Sequence, residues 1–462
     1  MFIGRERELK KLNELYRKNG FQFAVIYGRR RVGKTALINE FIKNKDAIYF
    51  IGIESNAVQN LENFSKSILS YTDSALENSM FPSFQTALEY VFKLAKTKRI
   101  ILAIDEYPYI AKASKSFAST LQALLDKNKD ASKLFLILCG SSMSFMENNV
   151  LAYKAPLYGR RTAQFKVLPF DFFESRRCFK RLSATDIAVI YGIIGGTPQY
   201  LLQINDRLSL EENIKRCFLD PHSPLFEETN NLIRQEVREP ALYNAIIAAI
   251  ATGCTKLSEI SSKVGAETSA CSAYIKNLIS LGIIKKVTPF TNASAKKSIY
   301  KIDDNLFRFW YRFIPENLAA INRGLANEAY NKISPLISDY MGAVFEDICT
   351  QYLWKLRAQG KAAIEFADLG RWWGNDAKNK CEAEIDIMGV SGNSALYCEC
   401  KWTNRRVGVD VLCTLIERGN LFHYEKRHFY LFAKNGFTKG CIEKASEFGN
   451  VSLVTFDEIA RA

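Results

Sequence analysis

The fold of the first part of the chain is decided by one stretch, residues 21–42, FQFAVIYGRRRVGKTALINEFI. An apolar run precedes a glycine-containing loop, and a helical pattern follows it. Gly28 and Gly33 allow a tight turn in which successive N–H groups point at phosphate oxygens. The following helix adds the positive end of its dipole. Strand, G-x-x-x-x-G-K-T loop and helix in this order predict a phosphate-binding loop, the P-loop.

The residue types in this loop predict how a nucleotide is held. Lys34 is expected to reach the β- and γ-phosphates, and the Thr35 hydroxyl is expected to bind Mg²⁺. The predicted nucleotide-binding residues are Gly28, Arg29, Arg30, Arg31, Val32, Gly33, Lys34, Thr35, Ala36 and Asp105. Thr35 and Asp105 are the predicted metal ligands of this site.

Two further apolar runs end in polar residues, as buried parallel strands do when their carboxyl ends form a site. Residues 99–104 lead into Asp105 and Glu106, and residues 133–140 lead into Ser141 and Ser142. Asp105 is placed to complete the Mg²⁺ shell, and Glu106 to polarise the attacking water. Either serine can hydrogen-bond the γ-phosphate or that water. Strands alternating with helices predict a doubly wound α/β domain.

Composition narrows the class of protein and of partner. The 462 residues are 48% hydrophobic and 24% charged. The formal net charge of +14 favours an acidic partner such as nucleic acid, and a protein that is merely basic is the alternative. The eleven cysteines form no C-x-x-C pair, which is typical of free thiols in a reducing compartment. The N-terminus has no signal-peptide pattern, and the longest aliphatic stretch, residues 241–251, is too short to span a bilayer. We expect a cytoplasmic protein without a membrane partner.

The chain is predicted to contain five segments. These are a P-loop domain (1–170), a helical lid (171–238), a winged helix-turn-helix (239–305), a helical connector (306–340) and a C-terminal domain (341–462). The winged helix is predicted from three helical patterns and a hairpin of residues 283–287 and 298–302. Thr255 is expected to cap its second helix, and Thr268 or Ser269 its third.

The winged-helix segment is predicted to bind duplex DNA. It contains eight lysines and five acids. Lys276 lies on the third helix and Lys285 and Lys286 lie in the hairpin, where each can contact a phosphate. The excess of positive charge is modest, so a packing or regulatory module remains the alternative.

The C-terminal domain shows a second pattern of charged residues. Glu346 lies on a predicted helix, and Asp386 and Glu399 lie 13 residues apart on two strands of a predicted hairpin. Alternate residues of a strand share a face, so Glu399 and Lys401 point together. Two carboxylates and an ammonium suit Mg²⁺ binding and activation of water for phosphodiester cleavage. A salt-bridged sheet without metal is the alternative.

Several motifs together resemble the archaeal-type ATPases, P-loop proteins close to the AAA+ and STAND groups. The matching stretches are Phe2 to Leu9, Gly28 to Thr35, Ile104 to Glu106, Leu157 to Arg161 and Gly195 to Pro198. The resemblance covers residues 1–235 and implies ATP and Mg²⁺ as cofactors. It implies that the opening stretch contacts the adenine, that Arg160 is an arginine finger, and that Gly195 to Pro198 is a lid motif. Arg160 and Arg161 pairing with an acid of their own domain is the alternative.

The winged helix and tail resemble a C-terminal domain of unknown function often fused to these ATPases, and its end resembles a PD-(D/E)xK nuclease. Glu346, Asp386, Glu399 and Lys401 match that motif, although the proline before the aspartate is absent. The resemblance implies a restriction-endonuclease-like α/β domain and an ATP-dependent switch protein that cleaves DNA, with the assembly of several copies left open. A regulator that binds without cleaving is the alternative. A small-molecule kinase is disfavoured, because no acceptor domain is recognisable.

Overall fold

The computed structural model describes residues 2–73, 79–237, 239–291, 298–376 and 380–462. The chain forms two compact units. The first contains Met1–Phe170 and Thr197–Gln199, and the second contains Asp171–Gly196 and Tyr200–Ala462. No helix in the described ranges combines the length and the apolar character needed to cross a membrane.

The first unit is built on a five-stranded sheet. Its strands are β1 (Gln22–Tyr27), β2 (Ala47–Ile51), β3 (Ile100–Asp105), β4 (Leu134–Gly140) and β5 (Ala163–Lys166). Its helices are α1 (Glu6–Arg17), α2 (Lys34–Ile42), α3 (Ala57–Thr72), α4 (Phe84–Leu94), α5 (Tyr107–Ala113), α6 (Phe117–Asn128) and α7 (Met143–Met146), with short helical turns at Lys129–Ala131 and Glu147–Leu151. The strand order is β2-β3-β4-β1-β5, and every neighbouring pair is parallel. The prediction of an α/β fold with a parallel sheet is confirmed.

The sheet has a hydrophobic core on each face. Phe23, Val25 and Tyr27 of β1 pack into one core, while Ala24 and Ile26 pack into the other. Successive side chains of a strand point to opposite faces, so a strand covered on both sides must be apolar throughout. This explains why β1, β3 and β4 appear in the sequence as unbroken apolar runs.

The second unit begins with helices. They are α8 (Phe172–Arg176), α9 (Ala184–Ile194), α10 (Pro198–Leu201, whose first two residues belong to the first unit), α11 (Leu210–Phe218), α12 (Glu228–Glu236), α13 (Pro240–Ala251), α14 (Leu257–Val264) and α15 (Thr268–Ser280). The antiparallel strands β6 (Ile284–Val287) and β7 (Ile299–Ile302) follow. Next come α16 (Asn305–Asn322), α17 (Ala326–Ile333), a short turn at Ser334–Leu336 and α18 (Ile337–Ala358).

Two helix caps differ from the prediction. Helix α14 begins after Lys256, and Thr255 donates its backbone N–H to the Glu259 carboxylate at 2.9 Å instead of offering its hydroxyl as a cap. Helix α15 begins at Thr268 with Glu267 as its N-cap residue. The capping role predicted for Thr255, and for Thr268 or Ser269, is therefore wrong, because the N-cap residues are Lys256 and Glu267.

A second five-stranded sheet forms the C-terminal part. Its strands are β8 (Leu369–Asp376), β9 (Cys381–Ser391), β10 (Ser394–Lys401), β11 (Lys426–Ala433) and β12 (Val451–Thr455). The helices α19 (Val409–Gly419), α20 (Lys439–Phe448) and α21 (Phe456–Arg461) accompany them. The order is β12-β11-β10-β9-β8, antiparallel from β8 to β10 and parallel from β10 to β12. The hairpin predicted around residues 384–401 is present as β9 and β10.

We expect Gly419→Ala to destabilise this second sheet. A Cβ at this last residue of α19 would lie 2.5 Å from Cε1 of Phe429 and 3.2 Å from Cδ2 of Tyr397, and both rings are buried. Overpacking of this kind lowers the free energy of unfolding by about 2 kcal/mol. Gly342→Ala is the matched control, because this glycine lies inside α18 with nothing within 4 Å of the added Cβ. It should stabilise by about 0.5–1 kcal/mol. Thermal unfolding followed by circular dichroism that ranks the two variants in the opposite order would contradict the packing argument.

Candidate functional site

The P-loop connects β1 to α2 and wraps around the side chain of its own lysine. Lys34 is 5% exposed, and its Nζ donates hydrogen bonds to the backbone oxygens of Gly28 and Arg29, both at 2.9 Å. Gly33 adopts φ 92°, a left-handed conformation that glycine tolerates without strain. The ammonium therefore lies over the loop, at the position where a phosphate group would meet it.

The carboxyl end of β3 lies next to the start of α2. The Thr35 hydroxyl donates to Oδ2 of Asp105 at 2.6 Å, and Oδ1 of Asp105 accepts the Glu106 N–H at 2.9 Å. Asp105 is 1% exposed. A hydroxyl and a carboxylate this close together are oxygen ligands that one Mg²⁺ can share. The two residues predicted to bind the metal are thus brought together, and they fit the group that the sequence implies.

Tyr49 is a residue of this site that the sequence analysis missed. Its hydroxyl donates to Oδ2 of Asp105 at 3.0 Å, and burial together with the Asp105 charge raises the pKa of Tyr49. Tyr49 pairs with Ala103 on the neighbouring strand, so it stands on the sheet beside the end of β3. The alternation of residues in β2 could have indicated the face on which Tyr49 lies. Its contact with Asp105 could not be predicted without knowing that β3 is the neighbouring strand.

Glu106 has a strained backbone, and its side chain is bonded to Ser141. Its backbone has φ 48° and ψ 41°, a left-handed conformation that costs a non-glycine residue about 1–2 kcal/mol. Its Oε2 accepts the Ser141 hydroxyl at 2.8 Å and the Ser141 N–H at 3.4 Å. Ser141 was expected to contact the γ-phosphate or the attacking water. In the structure it positions the carboxylate that would act on that water.

The opening segment is tied to the P-loop by Arg5. Its guanidinium donates to the backbone oxygen of Val32 at 2.9 Å and to that of Leu168 at 2.5 Å, and it lies 4.7 Å from the centre of the Phe170 ring. Pro198 lies on the loop from another side, because a Cβ on Gly33 would be 3.7 Å from its Cγ. Two of the motifs that resemble the ATPase family thus meet at the loop.

Arg160, the predicted arginine finger, is paired inside its own unit. Its Nε and Nη2 donate to the two carboxylate oxygens of Asp126 at 2.8 and 2.7 Å, and its Nη1 donates to the backbone oxygens of Pro156 and Tyr158. The pairing lowers the pKa of the Asp126 carboxyl. The structure therefore contains the alternative that the sequence left open, a salt bridge to a domain acid. To act as an arginine finger, Arg160 would first have to break this bidentate salt bridge.

The C-terminal cluster is centred on β9 and β10. Lys401 donates to Oε1 of Glu399 at 2.6 Å, as their shared face predicts, and Oδ2 of Asp386 accepts the Cys400 N–H at 2.9 Å. Burial, the Glu399 charge and the Glu346 charge raise the pKa of Asp386 to about 7. Burial likewise raises the pKa of Glu346 on α18. Asp386 thus interacts with carboxylates from two other elements.

Two arginines of this cluster were missed from the sequence. Arg371 of β8 donates to Glu346 at 3.3 Å and to Glu384 at 2.7 Å, and Arg418 of α19 donates to Glu399 at 3.3 Å. Neither belongs to the motif, and only the order of the sheet brings β8 and α19 to the carboxylates.

In the described ranges no group of three or more His, Cys, Asp and Glu side chains has the spacing of a formed metal site.

The lysines predicted to bind DNA differ in their surroundings. Lys276 on α15 and Lys286 on β6 are exposed. Lys285 instead forms ion pairs with Asp303 at 2.9 Å and Asp347 at 3.5 Å, and these acids raise its pKa against the effect of burial. Lys285 would therefore have to leave these two acids before it could contact a phosphate, and its role as a DNA contact stays a prediction.

Comparisons with known proteins give two family matches. A family described as ATPase domain predominantly from Archaea matches residues 2–204, and a family of archaea bacterial proteins of unknown function matches residues 310–411. An uncharacterized protein of Methanocaldococcus jannaschii is 35% identical over 407 residues, which are 87% of this chain and 88% of that protein. An uncharacterized ATP-binding protein of the same organism is 47% identical over 45 residues, 10% of this chain and 76% of that one.

Among solved structures, the chain is similar to a Walker-type ATPase of Pyrococcus abyssi. The TM-score is 0.52 at 21% identity, and the similar part covers 67% of this chain and 96% of that one. At this identity the likeness concerns the fold alone.

We expect Lys34→Ala to abolish or nearly abolish ATP binding, because it removes the ammonium that would neutralise the β- and γ-phosphates. Glu106→Gln should keep binding and lose hydrolysis, since an amide cannot polarise the attacking water. Isothermal titration calorimetry measures the first and phosphate release the second. Lys45→Ala, a lysine on the chain after α2 and outside the loop, is the control and should bind normally. Wild-type affinity in Lys34→Ala would contradict the assignment of this loop.

Proposed function

This chain belongs to the family of proteins with an ATPase domain predominantly from Archaea, and from this premise we propose that it is an ATP-driven switch protein that acts on DNA. The observation that carries the ATPase part is the contact of Thr35 with Asp105 beside the buried Lys34. It supports a site for ATP with Mg²⁺. Bound Mg²⁺ would neutralise the charge that develops on the transferred phosphoryl group.

The residues around that site divide the work of hydrolysis. Lys34 would move from the carbonyls of its own loop to the phosphates. Glu106 would accept a hydrogen bond from the attacking water, with Ser141 fixing its carboxylate in place. The left-handed backbone of Glu106 supports this role, because strained conformations persist where a side chain must be aimed.

The C-terminal cluster supports a metal-dependent nuclease. Asp386 and Glu399 would bind the divalent ion, Lys401 would orient the attacking water, and Glu346 would support the site. The proposal is carried by the position of the buried Asp386 and Glu399 on the paired strands β9 and β10, where a divalent cation would offset the charges of the two carboxylates. A restriction-endonuclease-like domain is consistent with the mixed sheet and its flanking helices.

Helices α13 to α15 with the β6-β7 hairpin support a winged helix-turn-helix. Within it, Lys276 and Lys286 are the exposed candidates for contacts with DNA phosphates, while Lys285 is occupied by two acids.

A regulator that binds without cleaving is the second candidate. The observation that favours it is the pairing of the acids with cations of the chain itself, Glu399 with Lys401 and Arg418, and Glu346 with Arg371. Carboxylates paired in this way form a stable sheet without metal.

We expect DNA cleavage to separate the two candidates. Duplex DNA incubated with Mg²⁺ or Mn²⁺ should be cut by the wild type and by Lys34→Ala, but not by Lys401→Ala, which loses the group that orients the water. Lys426→Ala, an exposed lysine at the start of β11, is the control and should cut normally. Absence of cleavage by the wild type with either metal, with and without ATP, would favour the regulator.

Arg160 is further proposed to act in a homo-oligomer, where it would leave Asp126 and reach the ATP of a neighbouring copy. We expect Arg160→Ala to lower hydrolysis by about 10³-fold, and the wild type to lose specific activity on dilution. Asp126→Asn is the matched variant, because it breaks the same salt bridge and keeps the arginine. Equal activity in both variants would make the pair structural.

A further inference from the structure

The β6-β7 hairpin lies against the edge of the C-terminal sheet. The Phe290 N–H donates to the backbone oxygen of Arg371 on β8 at 2.8 Å. The Phe290 ring packs with the hydrophobic cluster of that sheet, which includes Ile385 and Trp372. Gly370 makes this approach possible, since a Cβ there would lie 2.6 Å from Cδ2 of the ring. The hairpin is thus attached to the sheet that carries the acidic cluster.

Its two faces carry different lysines. Lys285 and Lys301 are directly opposite in the antiparallel register, so they share a face, and Lys286 points to the other one. The shared face is directed at α18, because Lys285 forms its ion pair with Asp347 there. Glu346 of the acidic cluster is the residue next to Asp347. Lys301 is therefore directed at the cluster, and Lys286 away from it.

Lys301 is half-buried in an environment of mixed charge. The positive charges of Arg371, Lys285 and Arg308 repel its ammonium. The negative charge of Glu346 attracts it. Within the part of the chain that the structure describes, Lys301 forms no ion pair at 4.0 Å or less, in contrast to Lys285 with two. Holding an ammonium out of water among other cations is unfavourable unless an anion joins them.

We propose that the hairpin is a wall of the C-terminal site and that Lys301 and Arg371 bind the phosphate of a nucleic-acid backbone beside Asp386 and Glu399. The inference rests on the proposed nuclease and names how that site holds its substrate. A guanidinium and an ammonium are the groups that bind phosphate oxygens in proteins. The phosphate adds a second anion beside Glu346, and Arg371 reaches it from the position in which it now bridges Glu346 and Glu384.

This assigns the hairpin a role different from that of a free wing. A wing that reads DNA would use the exposed Lys286, whereas a wall of the acidic site uses Lys301. Because Lys286 is itself a candidate for a DNA contact, the control for Lys301→Gln is Lys426→Gln, at an exposed lysine at the start of β11.

The test uses the full chain and a labelled 30-base-pair DNA duplex with Ca²⁺ in place of Mg²⁺. Fluorescence anisotropy over a series of salt concentrations gives the affinity and its salt dependence. We expect Lys301→Gln to weaken binding about tenfold and to reduce the slope of log K against log salt by about one, the loss of one phosphate contact. Lys426→Gln should match the wild type. Lys301→Arg should restore binding, which a change of packing alone would not predict.

A cleavage assay with Mg²⁺ supplies the second measurement, in which Lys301→Gln should raise KM more than it lowers kcat. Circular dichroism of every variant checks that the fold is kept, and Lys301→Met, which keeps the length of the stem, replaces Lys301→Gln if the latter unfolds. Loss of binding in Lys426→Gln and not in Lys301→Gln overturns the inference, and so does an equal loss in both. A wild type that binds and cleaves while Lys301→Gln is unchanged overturns the inference alone. A wild type that neither binds nor cleaves overturns the proposed nuclease and the inference with it.

Discussion

The parallel pairing of β1, β3 and β4 is the constraint on which the nucleotide site depends. Parallel neighbours bring their carboxyl ends to one edge of the sheet, so the P-loop, Asp105 and Ser141 meet although they are far apart in the chain. The hydrogen bond from Thr35 to Asp105 and that from Ser141 to Glu106 both cross between these strand ends. A shift of either strand by one residue would turn each side chain to the other face.

The same constraint explains how far the sequence could predict this site. The P-loop was recognisable because its strand, glycines and helix lie within one short stretch. Asp105 and Glu106 were recognisable because they end a buried apolar run in a chain that has a P-loop upstream. Tyr49 was missed because its contact with Asp105 depends on the order of the strands. The strain at Glu106 was missed because it is a property of the backbone that the residue type does not indicate.

In the C-terminal sheet, the sequence predicted contacts between residues of one strand but not contacts between different elements. The spacing of Glu399 and Lys401 predicted their contact correctly, because both lie on one strand. Arg371 and Arg418 come from two other elements, and no pattern within either element marks its arginine as part of the cluster. Lys285 was assigned to DNA from its place in a basic hairpin, but Asp303 and Asp347, which neutralise it, lie on two different segments. Charge counted along a sequence therefore does not locate a binding surface.

The balance of charge in the acidic cluster also links its two proposed ligands. Each cation that now neutralises a carboxylate is a group that can bind phosphate, and each carboxylate is a group that can bind a metal ion. A divalent ion at Asp386 and Glu399 would compete with Lys401 and Arg418 for the Glu399 oxygens. Lys401 and Arg418 would then be available to bind an incoming phosphate. A phosphate at Arg371 would in turn weaken its hold on Glu346, which then becomes available to support the ion. By linkage, each ligand must then raise the affinity for the other. The ion pairs that stabilise the sheet without ligands would then be the resting arrangement of the site.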